Sequence, residues 1–359
     1  MSATCMHVLP MESKMAENSG ISWTDNTFNP WIGCTKVSPA CDFCYAETWD
    51  NRFKGERWGP KAVRTRTKIR NWNKVRKWNR IAAENGAKIK TKINGIMPKI
   101  CACTGSVGGG KAIERAAAGT FTGLGLELGG KDPGYVMEDA DLDWAVDVLM
   151  DGAMFNAGQC CCGIERLYVA RPLYDAFVEK AAAWVSSGLK LGNPLDPETT
   201  IGPMANVRFA KEVRSQISEA LEQGARGLID PSQYPADDGG AYLMPQVLVD
   251  VNHDMRVMRD ESFGPVVGIM PVDSDEEALA LMNDSEFGLT AAIFSRDVDA
   301  AMALADRVEA GTVFLNRCDY LDPGLAWTGV KHSGRGCTLS RVGYEQLTRP
   351  KSFHFKTQL

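Results

Sequence analysis

From about residue 100 onward, short apolar segments alternate with longer amphipathic ones, and this alternation limits the possible folds more than any other feature. Strands are predicted at 99–106, 165–170, 266–270, 290–295 and 312–316. Helices are predicted at 111–119, 141–155, 206–224 and 298–310. Because strands that alternate with helices of this length usually form parallel sheets, we predict an α/β fold with a largely parallel sheet.

Local signals support two of these helices and predict one more. In segment 141–155 one helical face collects the apolar residues Leu142, Ala145, Val146 and Leu149. In segment 206–224 apolar residues recur four positions apart, at Phe209, Val213, Ile217 and Leu221, and Gly224 ends the pattern. Ser274 and Glu277 form a capping box, which predicts that a helix begins after Ser274.

The composition is that of an ordinary water-exposed globular protein, with 44% hydrophobic and 24% charged residues. The sequence has no run of about 18 apolar residues, so we expect no membrane-spanning helix. Its first 20 residues lack the basic-then-apolar order of a secretion signal. Eleven cysteines, three of them consecutive at 160–162, fit reduced thiols better than a disulfide framework. We therefore predict a cytoplasmic protein.

Charge and tryptophan are distributed unevenly along the chain. Residues 1–100 hold 18 basic and 8 acidic residues, whereas residues 101–359 hold 22 basic and 37 acidic residues. Six of the nine tryptophans precede residue 80. This shift indicates two pieces of different origin, which join within the basic segment 86–99.

The stretch TGSVGGGKA, residues 104–112, has the glycines and the lysine of a phosphate-binding loop. The residue after Lys111 is Ala112, which offers no hydroxyl to a metal ion. A glycine turn between a strand and a helix still directs free N–H groups and the positive end of the helix dipole at a ligand. Two interpretations therefore remain, a phosphate contact without a triphosphate and a tight turn without a ligand.

Two later segments contain candidate reactive groups. Glu127 lies in the apolar, glycine-flanked segment LELGGKDP, where burial would raise the pKa of a general base. The loop FNAGQCCCG, residues 155–163, presents cysteines after a helix, as expected of a nucleophile. Each has a plainer alternative. Glu127 could be a capped or ion-paired surface residue, and buried cysteines are usually inert.

Taken together and in this order, the motifs resemble those of the NAD(P)-dependent aldehyde dehydrogenases. The resemblance covers about residues 100–359 and depends on TGSVGGGK, LELGGKDP and FNAGQCCCG, then ESFGPV at 261–266, FLN at 314–316 and TGVKHSGRG at 328–336. It implies an aldehyde-dehydrogenase-like catalytic domain with a largely parallel sheet, a truncated cofactor-binding domain and an unrelated small N-terminal segment.

The resemblance also implies the reaction and its central residues. The nucleophile of the family follows GQ by one intervening residue, which is Cys161 here. Its thiolate would attack an aldehyde, hydride would pass to the nicotinamide, and Glu127 would activate the water that hydrolyses the resulting thioester. An aldehyde substrate and NAD or NADP as cofactor are therefore expected, with no metal ion at the site.

The same resemblance assigns cofactor contacts to Gly105, Ser106, Leu128, Glu261 and Phe263. Gly105 and Ser106 belong to the turn beside the pyrophosphate, and Leu128 would offer its carbonyl to the nicotinamide carboxamide. Glu261 resembles the carboxylate that binds the ribose hydroxyls. Phe263 resembles the ring packed beside that carboxylate, although simple core packing explains a phenylalanine there equally well.

Three further residues and the C-terminal tail receive supporting roles. Asn316 is expected to support the loop near the catalytic centre, and Lys331 and Ser333 are expected to be structural. The segment SFHFK, residues 352–356, alternates like an edge strand that pairs across subunits in the family. A homo-oligomer is therefore predicted.

The sequence departs from the family before residue 100, because it has no PWNFP-like or KPxE-like segment. In the family the preceding half supplies the first strands of the cofactor domain and an oxyanion-hole asparagine. Loss of one oxyanion donor typically lowers turnover by about 10²–10³. We therefore expect weak turnover, or none, from this chain.

Residues 20–49 resemble instead a phage-derived family of unknown function that is grouped with radical-SAM-like proteins. Cys34, Cys41 and Cys44 could hold an iron–sulfur cluster or zinc, or could be plain thiols. The basic segment 64–80 could contact nucleic acid, although a solvated amphipathic helix is favoured. Two alternatives therefore remain. The chain could be an iron–sulfur or nucleic-acid-associated protein, or it could be an inactive oligomerising remnant.

These resemblances predict that the chain is a fusion of two truncated parts. It comprises a disordered segment 1–20, a phage-protein-like fragment and junction 21–98, a remnant of the dinucleotide-binding domain 99–131, the catalytic domain 132–345 and an oligomerisation tail 346–359.

Overall fold

A computed structural model describes residues 100–348 and 352–358, together with four two-residue strands nearer the N-terminus. The chain divides into two compact units, Met1–Pro98 and Lys99–Leu359. Within the described residues, every helix is too short or too polar to cross a membrane.

In the first unit the structure describes only the backbone of two antiparallel strand pairs. Ala16–Glu17 pairs with Asn26–Thr27, and Trp31–Ile32 pairs with Thr65–Arg66. Apart from these strands, the expectations about residues 1–20, Cys34, Cys41, Cys44 and the basic segment 64–80 lie outside the described residues.

The second unit alternates strands and helices along the chain. Its described strands are β1 Ile100–Thr104, β2 Gly123–Glu127, β3 Asp132–Val136, β4 Ile164–Ala170, β5 Arg226–Gly227, β6 Gln246–Val249, β7 Val266–Val272, β8 Phe287–Gly288, β9 Thr290–Phe294, β10 Thr312–Leu315, β11 Val330–Lys331 and β12 Gly334–Arg335. Its described helices are α1 Val107–Ala117, α2 Leu142–Met154, α3 Arg171–Gly188, α4 Val207–Glu222, α5 Arg256–Arg259, α6 Asp275–Asn283, α7 Val298–Ala305 and α8 Ser340–Gln346.

A seven-stranded sheet forms the centre of this unit. Its strand order is β10-β9-β3-β4-β7-β6-β5, and only the short edge strand β5 runs antiparallel to its neighbour. The other neighbours are parallel, with pairs such as Ala292↔Gly134 and Gly268↔Arg166. The predicted α/β class with a largely parallel sheet is confirmed.

A second, three-stranded sheet has the order β12-β2-β1, in which β1 and β2 are parallel and β12 is antiparallel to β2. Only four residues, 128–131, join the last residue of β2 to the first residue of β3. We call this segment the strap. It links the carboxyl end of the small sheet to the amino ends of the strands in the large sheet.

Apolar helix faces cover the large sheet. Strand β4 is buried along its whole length, and α2 buries Ala145, Val146 and Leu149, which confirms the predicted face of that helix. The buried guanidinium of Arg166 donates to the carbonyls of Leu281 and Met282 near the end of α6. This places a cation at a helix C-terminus, where the helix dipole favours it.

Helix α4 corrects the predicted face. Its buried residues are Ala210, Val213, Gln216 and Ala220, whereas Phe209 and Leu221 are about two-fifths exposed. Residues spaced by four drift around a helix that has 3.6 residues per turn, so a stripe of such residues cannot all face one neighbour. Gln216 is buried because its amide belongs to a polar network described below.

Local signals fixed the ends of several elements. Helix α4 stops before Gly224, which has a φ of 105°, and the Ser274 hydroxyl accepts from the Glu277 N–H. The Glu277 carboxylate accepts from the N–H of Asp273, which closes the turn. Helix α7 ends earlier than predicted, at Ala305. Residues 352–358 have no regular secondary structure, so the pairing of the tail across subunits stays a prediction.

We expect Leu149→Ala to destabilise the protein by about 2–5 kcal/mol, because it removes a fully buried side chain from the cluster under α2. The measurement is the free energy of unfolding from denaturant titration. Leu195→Ala is the matched control, since Leu195 is 90% exposed and its loss should change stability little. Equal effects of the two substitutions would contradict this account of the core.

Candidate active site

The strap passes between two of the predicted site residues, and its two glycines permit both contacts. A Cβ on Gly129 would lie 2.4 Å from the Glu261 carboxylate, and one on Gly130 would lie 2.2 Å from the Cys161 carbonyl oxygen. Real Cβ atoms essentially never lie this close to another heavy atom, so any side chain at either glycine would displace its neighbour. The strap therefore brings backbone against the cysteine loop on one side and Glu261 on the other.

Glu127, the last residue of β2, begins this passage. The Thr104 hydroxyl donates to one carboxylate oxygen at 3.1 Å, and the Thr338 hydroxyl donates to the other at 2.6 Å. The carboxylate lines a groove of about 490 Å³ whose wall is mostly apolar. Two donors therefore orient Glu127 at the mouth of an apolar space.

The cysteine loop begins in an unusual backbone conformation. Asn156, Ala157 and Gly158 all have positive φ, at 53°, 55° and 69°. A non-glycine residue in this region costs roughly 1–2 kcal/mol. The Asn156 amide donates to the Gln159 carbonyl and the Gln159 amide donates back to the Asn156 carbonyl, each at 3.0 Å, which closes the turn. Such strain is typical of functional sites.

Cys161 lies beside two other thiols. Hydrogen bonds from Cys160 and then Cys162 lower the pKa of the Cys161 thiol to about 4, against the opposing effects of burial and of the charges on Asp132 and Glu127. The bond to Cys161 raises the pKa of Cys160, and bonds to both neighbours raise that of Cys162. Of the three thiols, only the central one has a lowered pKa, and the charge of Glu127 reaches it.

Leu289 and Trp327 belong both to the cluster around the thiols and to the lining of the Glu127 groove. Cys160 and Cys161 pack against the buried cluster of Cys162, Leu289 and Trp327. Leu289 and Trp327 also line the groove that contains Glu127, whereas Cys161 does not. The thiol cluster and the Glu127 groove thus share two apolar side chains.

Asp319 contacts the two thiols that flank Cys161 in the sequence. Its Oδ1 lies 2.8 Å from the Cys162 sulfur and 3.6 Å from the Cys160 sulfur. Burial raises the pKa of the Asp319 carboxyl to about 6. Sequence reasoning missed this residue, because 157 positions separate it from Cys162 and no local motif marks it.

Glu261 occupies the opposite side of the strap. Its Oε1 accepts from the Gly130 N–H at 3.1 Å. Burial raises the pKa of Glu261 to about 7, and the nearby charge of Glu165 acts in the same direction. A half-buried carboxylate of this kind is a strong acceptor for hydroxyl groups.

A buried ion pair fixes the turn that carries Glu261. The Lys131 ammonium donates to Glu165 at 2.6 Å and to the Ser262 hydroxyl at 2.9 Å. Glu165 also accepts from the backbone N–H groups of Ser262 and Phe263. Burial lowers the pKa of Lys131. Phe263, which has a φ of 50°, is thereby held in a left-handed conformation.

Gln216 completes this network from helix α4. It accepts from the Ser262 hydroxyl at 2.6 Å and donates to the Glu261 carbonyl at 3.4 Å. No local pattern in the sequence identified Lys131, Glu165 or Gln216. Their polar side chains interrupt otherwise buried elements, which is the one signal that could have indicated them.

Gly105 and Ser106 lie at the start of α1. The Gly105 N–H bonds to the Glu127 carbonyl at 3.0 Å, and the Ser106 hydroxyl caps the helix by accepting from the Gly109 N–H. Gly110 faces Leu128, whose Cδ1 lies 2.5 Å from where a Cβ on Gly110 would be. This glycine therefore lets α1 approach the strap.

The predicted cofactor residues fit a dinucleotide in two respects. Gly105, Ser106, Gly108 and Gly109 are exposed, and Cβ atoms on Gly105 and Gly108 would meet nothing within 4 Å, which leaves room for an anion at the helix N-terminus. The Glu261 carboxylate lies against Gly129 of the strap, and the next residue, Gly130, lies against the Cys161 backbone. Sugar hydroxyls and phosphates are the groups these two features bind best.

Comparison with known proteins decides the ancestry of this unit. The model of the "Aldehyde dehydrogenase family" matches residues 71–353. The chain belongs to the aldehyde dehydrogenase family. The match begins at residue 71, ahead of residue 100 where the motifs placed it. A second family model, "Protein of unknown function (DUF5131)", matches residues 18–91.

Relatives of the chain include vanillin dehydrogenase of Pseudomonas sp. (strain HR199), 42% identical over 68% of this chain and 50% of the relative. The succinate semialdehyde dehydrogenase [NAD(P)+] Sad of Escherichia coli is 40% identical over 68% of this chain and 52% of the relative. The crystal structure of lactaldehyde dehydrogenase from Escherichia coli superposes with a TM-score of 0.65 at 34% identity, over 68% of this chain and 51% of the other. The chain thus spans about half the length of the curated relatives it matches.

The residues that the motifs marked as structural have structural contacts. Asn316 donates to the Ser295 carbonyl at 2.7 Å and accepts from its N–H, which braces the loop leading to Asp319. Lys331 bonds to the Asn283 and Ser285 carbonyls. Ser333 is fully buried, and its carbonyl accepts from the Leu128 N–H at 3.0 Å.

Replacing Lys131 by Met should destabilise the protein by about 3–5 kcal/mol, because the Glu165 charge would remain buried without its cation. Denaturant titration measures the change. Lys180→Met is the matched control, because the Lys180–Asp143 pair is exposed and contributes little. A Lys131→Met protein as stable as the Lys180→Met protein would refute the proposed support of the strap.

Cys161 should react with iodoacetamide at nearly the same rate from about pH 8 to about pH 5, because a thiol with a pKa of about 4 stays ionised over that range. An ordinary thiol with a pKa of about 8.5 slows about tenfold per pH unit below that value. Mass spectrometry of the Cys161 peptide, in buffer with a chelator, gives the rate.

Cys160→Ala should move the fall in rate toward higher pH, because it removes the principal donor to the Cys161 sulfur. A small thiol such as glutathione is the reference for unperturbed behaviour. A pH profile of Cys161 that follows the reference, or that ignores loss of Cys160, would contradict this account of the thiol cluster.

Proposed function

We propose that this chain oxidises aldehydes to carboxylates with NAD(P)⁺, using Cys161 as nucleophile and Glu127 as general base. The observation that carries the proposal is the course of the strap. In four residues it leaves Glu127, contacts the Cys161 backbone and borders the Glu261 carboxylate. Candidate base, nucleophile and cofactor contact are therefore tied to one short segment.

The residues of the chain account for the covalent steps. The Cys161 thiolate attacks the aldehyde carbon, and the new C–S bond leaves a tetrahedral oxyanion. A bound nicotinamide would supply the acceptor for the hydride that this intermediate expels. Glu127 then takes a proton from water, whose oxygen attacks the thioester carbon, and the C–S bond breaks to release the acid and the thiolate.

The orientation of Glu127 supports this role. The hydroxyls of Thr104 and Thr338 each donate to one carboxylate oxygen, and the groove beside it has room for a small substrate. The apolar wall would exclude water except near the carboxylate, which favours a single activated water molecule. Leu289 and Trp327 bring this wall to the thiols.

The cofactor would be held at two places. The capped N-terminus of α1, with Gly105 and Ser106, suits the pyrophosphate, and Glu261 suits the ribose hydroxyls. Leu128 and Phe263 are proposed to contact the nicotinamide, on the family resemblance alone. One relative carries NAD(P)+ in its name, which supports either nucleotide.

We propose that turnover is weak, because the chain matches only about half the length of its relatives. Cofactor binding would then depend on the remnant of the dinucleotide-binding domain alone. Self-association through residues 346–359 is a further part of the proposal, supported by a Phe355 side chain that is 74% exposed. A reducing, cytoplasmic location agrees with the free thiols of the described residues.

The decisive measurement separates thiol chemistry from hydride transfer. With p-nitrophenyl acetate, which needs no nucleotide, Cys161 should be acylated in a burst of one nitrophenolate per site. Glu127→Gln should keep the burst and slow the later steady rate about 10²–10⁴-fold, because the hydrolysis step loses its base. Stopped-flow absorbance and the mass of the acyl-enzyme report both phases.

Cys161→Ala should abolish the burst, and Cys101→Ala, which removes an exposed thiol, should not. NAD(P)H formation is then followed with vanillin, succinate semialdehyde and lactaldehyde, the substrates named in the relatives. Any NAD(P)H formed should disappear in Cys161→Ala. A full burst in Cys161→Ala, or a normal hydrolysis rate in Glu127→Gln, would refute the proposed roles.

A further inference from the structure

The two cysteines that flank Cys161 in the sequence converge with an aspartate on one point. The Sγ atoms of Cys160 and Cys162 lie 3.5 Å apart, and both lie within 3.6 Å of the Asp319 Oδ1. All three ligand atoms fall within 4.8 Å of one another. Cys162 is buried and the other two residues are partly buried, so the cluster is not an accident of a crowded acidic surface.

These separations approach those of a tetrahedral metal centre. Two zinc–sulfur bonds of about 2.3 Å at a tetrahedral angle place the sulfurs roughly 3.7 Å apart. A zinc–oxygen bond of about 2.0 Å gives a sulfur–oxygen separation of roughly 3.5 Å. The separations at Cys160 already match, and only the Cys162–Asp319 contact of 2.8 Å must open.

The backbone of the loop that carries Asp319 is also unusual. Asp319 has a φ of 47°, a left-handed conformation that directs this loop back toward the cysteines. The loop is braced by Asn316, whose amide bonds to Ser295. A strained, braced carboxylate opposite two thiols is a preorganised set of one oxygen and two sulfur ligands.

We propose that Cys160, Cys162 and Asp319 form a site for a thiolate-preferring divalent cation such as Zn²⁺. Binding displaces one proton from each thiol, and the carboxylate supplies a third ligand. The fourth position is open to water or to the Cys161 sulfur. The three ligands are neither the proposed nucleophile nor the proposed base, so metal binding can be measured without aldehyde turnover.

The test uses Cd²⁺ as the probe, since cadmium–thiolate bonds absorb in the ultraviolet. The full-length protein carries Cys5→Ser, Cys34→Ser, Cys41→Ser and Cys44→Ser, so that the four thiols before residue 100 do not contribute. We expect one Cd²⁺ per chain and a charge-transfer band. Cys160→Ala and Cys162→Ala should each weaken binding at least about tenfold, and Asp319→Asn should weaken it while keeping the shape of the side chain.

Cys337→Ala is the matched control, because the Cys337 thiol only donates to the Thr338 carbonyl and its loss should leave the band unchanged. Circular dichroism confirms that each variant is folded. Absence of the band, or a band that persists in Cys160→Ala and Cys162→Ala, would overturn the proposal.

A second measurement needs no substitution. Zn²⁺ should slow the alkylation of Cys160 by iodoacetamide in the wild-type chain at least about tenfold, with Cys337 as the internal reference, because a metal-bound thiolate is a poor nucleophile. Peptide mass spectrometry gives both rates. Equal protection of the two cysteines, or no protection of Cys160, would contradict the site.

Discussion

The buried ion pair of Lys131 and Glu165 is the constraint on which the candidate site depends. Its cation ends the strap at the amino end of β3, and its anion also accepts from two N–H groups in the turn that carries Glu261. A buried charge without its partner is costly, so neither side can move alone. One interaction therefore fixes the positions of the strap, the Glu261 turn and, through Gly130, the cysteine loop.

The elements that local signals define could be predicted, and those that tertiary packing defines could not. The face of α2, the capping box at Ser274 and the stop before Gly224 follow from interactions within a few residues. The start of α1 differs from its predicted start at 111, because the capping Ser106 draws the glycine-rich stretch into the first helical turn. The buried face of α4 is determined by tertiary packing, which the local spacing of apolar residues does not encode.

The site divides in the same way. Cys161, Glu127 and Glu261 stand in recognisable motifs, and the structure connects them through the strap. Lys131, Glu165 and Gln216 were not predicted, because their network joins four distant segments and each side chain alone has no pattern. Asp319 is the clearest case, since only the fold brings its carboxylate to the cysteines. Motifs marked the reactive groups, and long-range contacts determine how those groups are held.

The two sheets meet at the strap, with Glu127 at the carboxyl end of one and the cysteine loop at the amino ends of the other. Their registry is maintained by ordinary packing, such as Leu128 against Gly110 and the Ser333 carbonyl on the Leu128 N–H. Reactive geometry tolerates errors of only a fraction of an ångström. A substitution at Gly110, which lies outside the lining of the Glu127 groove, would thus misalign the chemistry by shifting the small sheet relative to the large one.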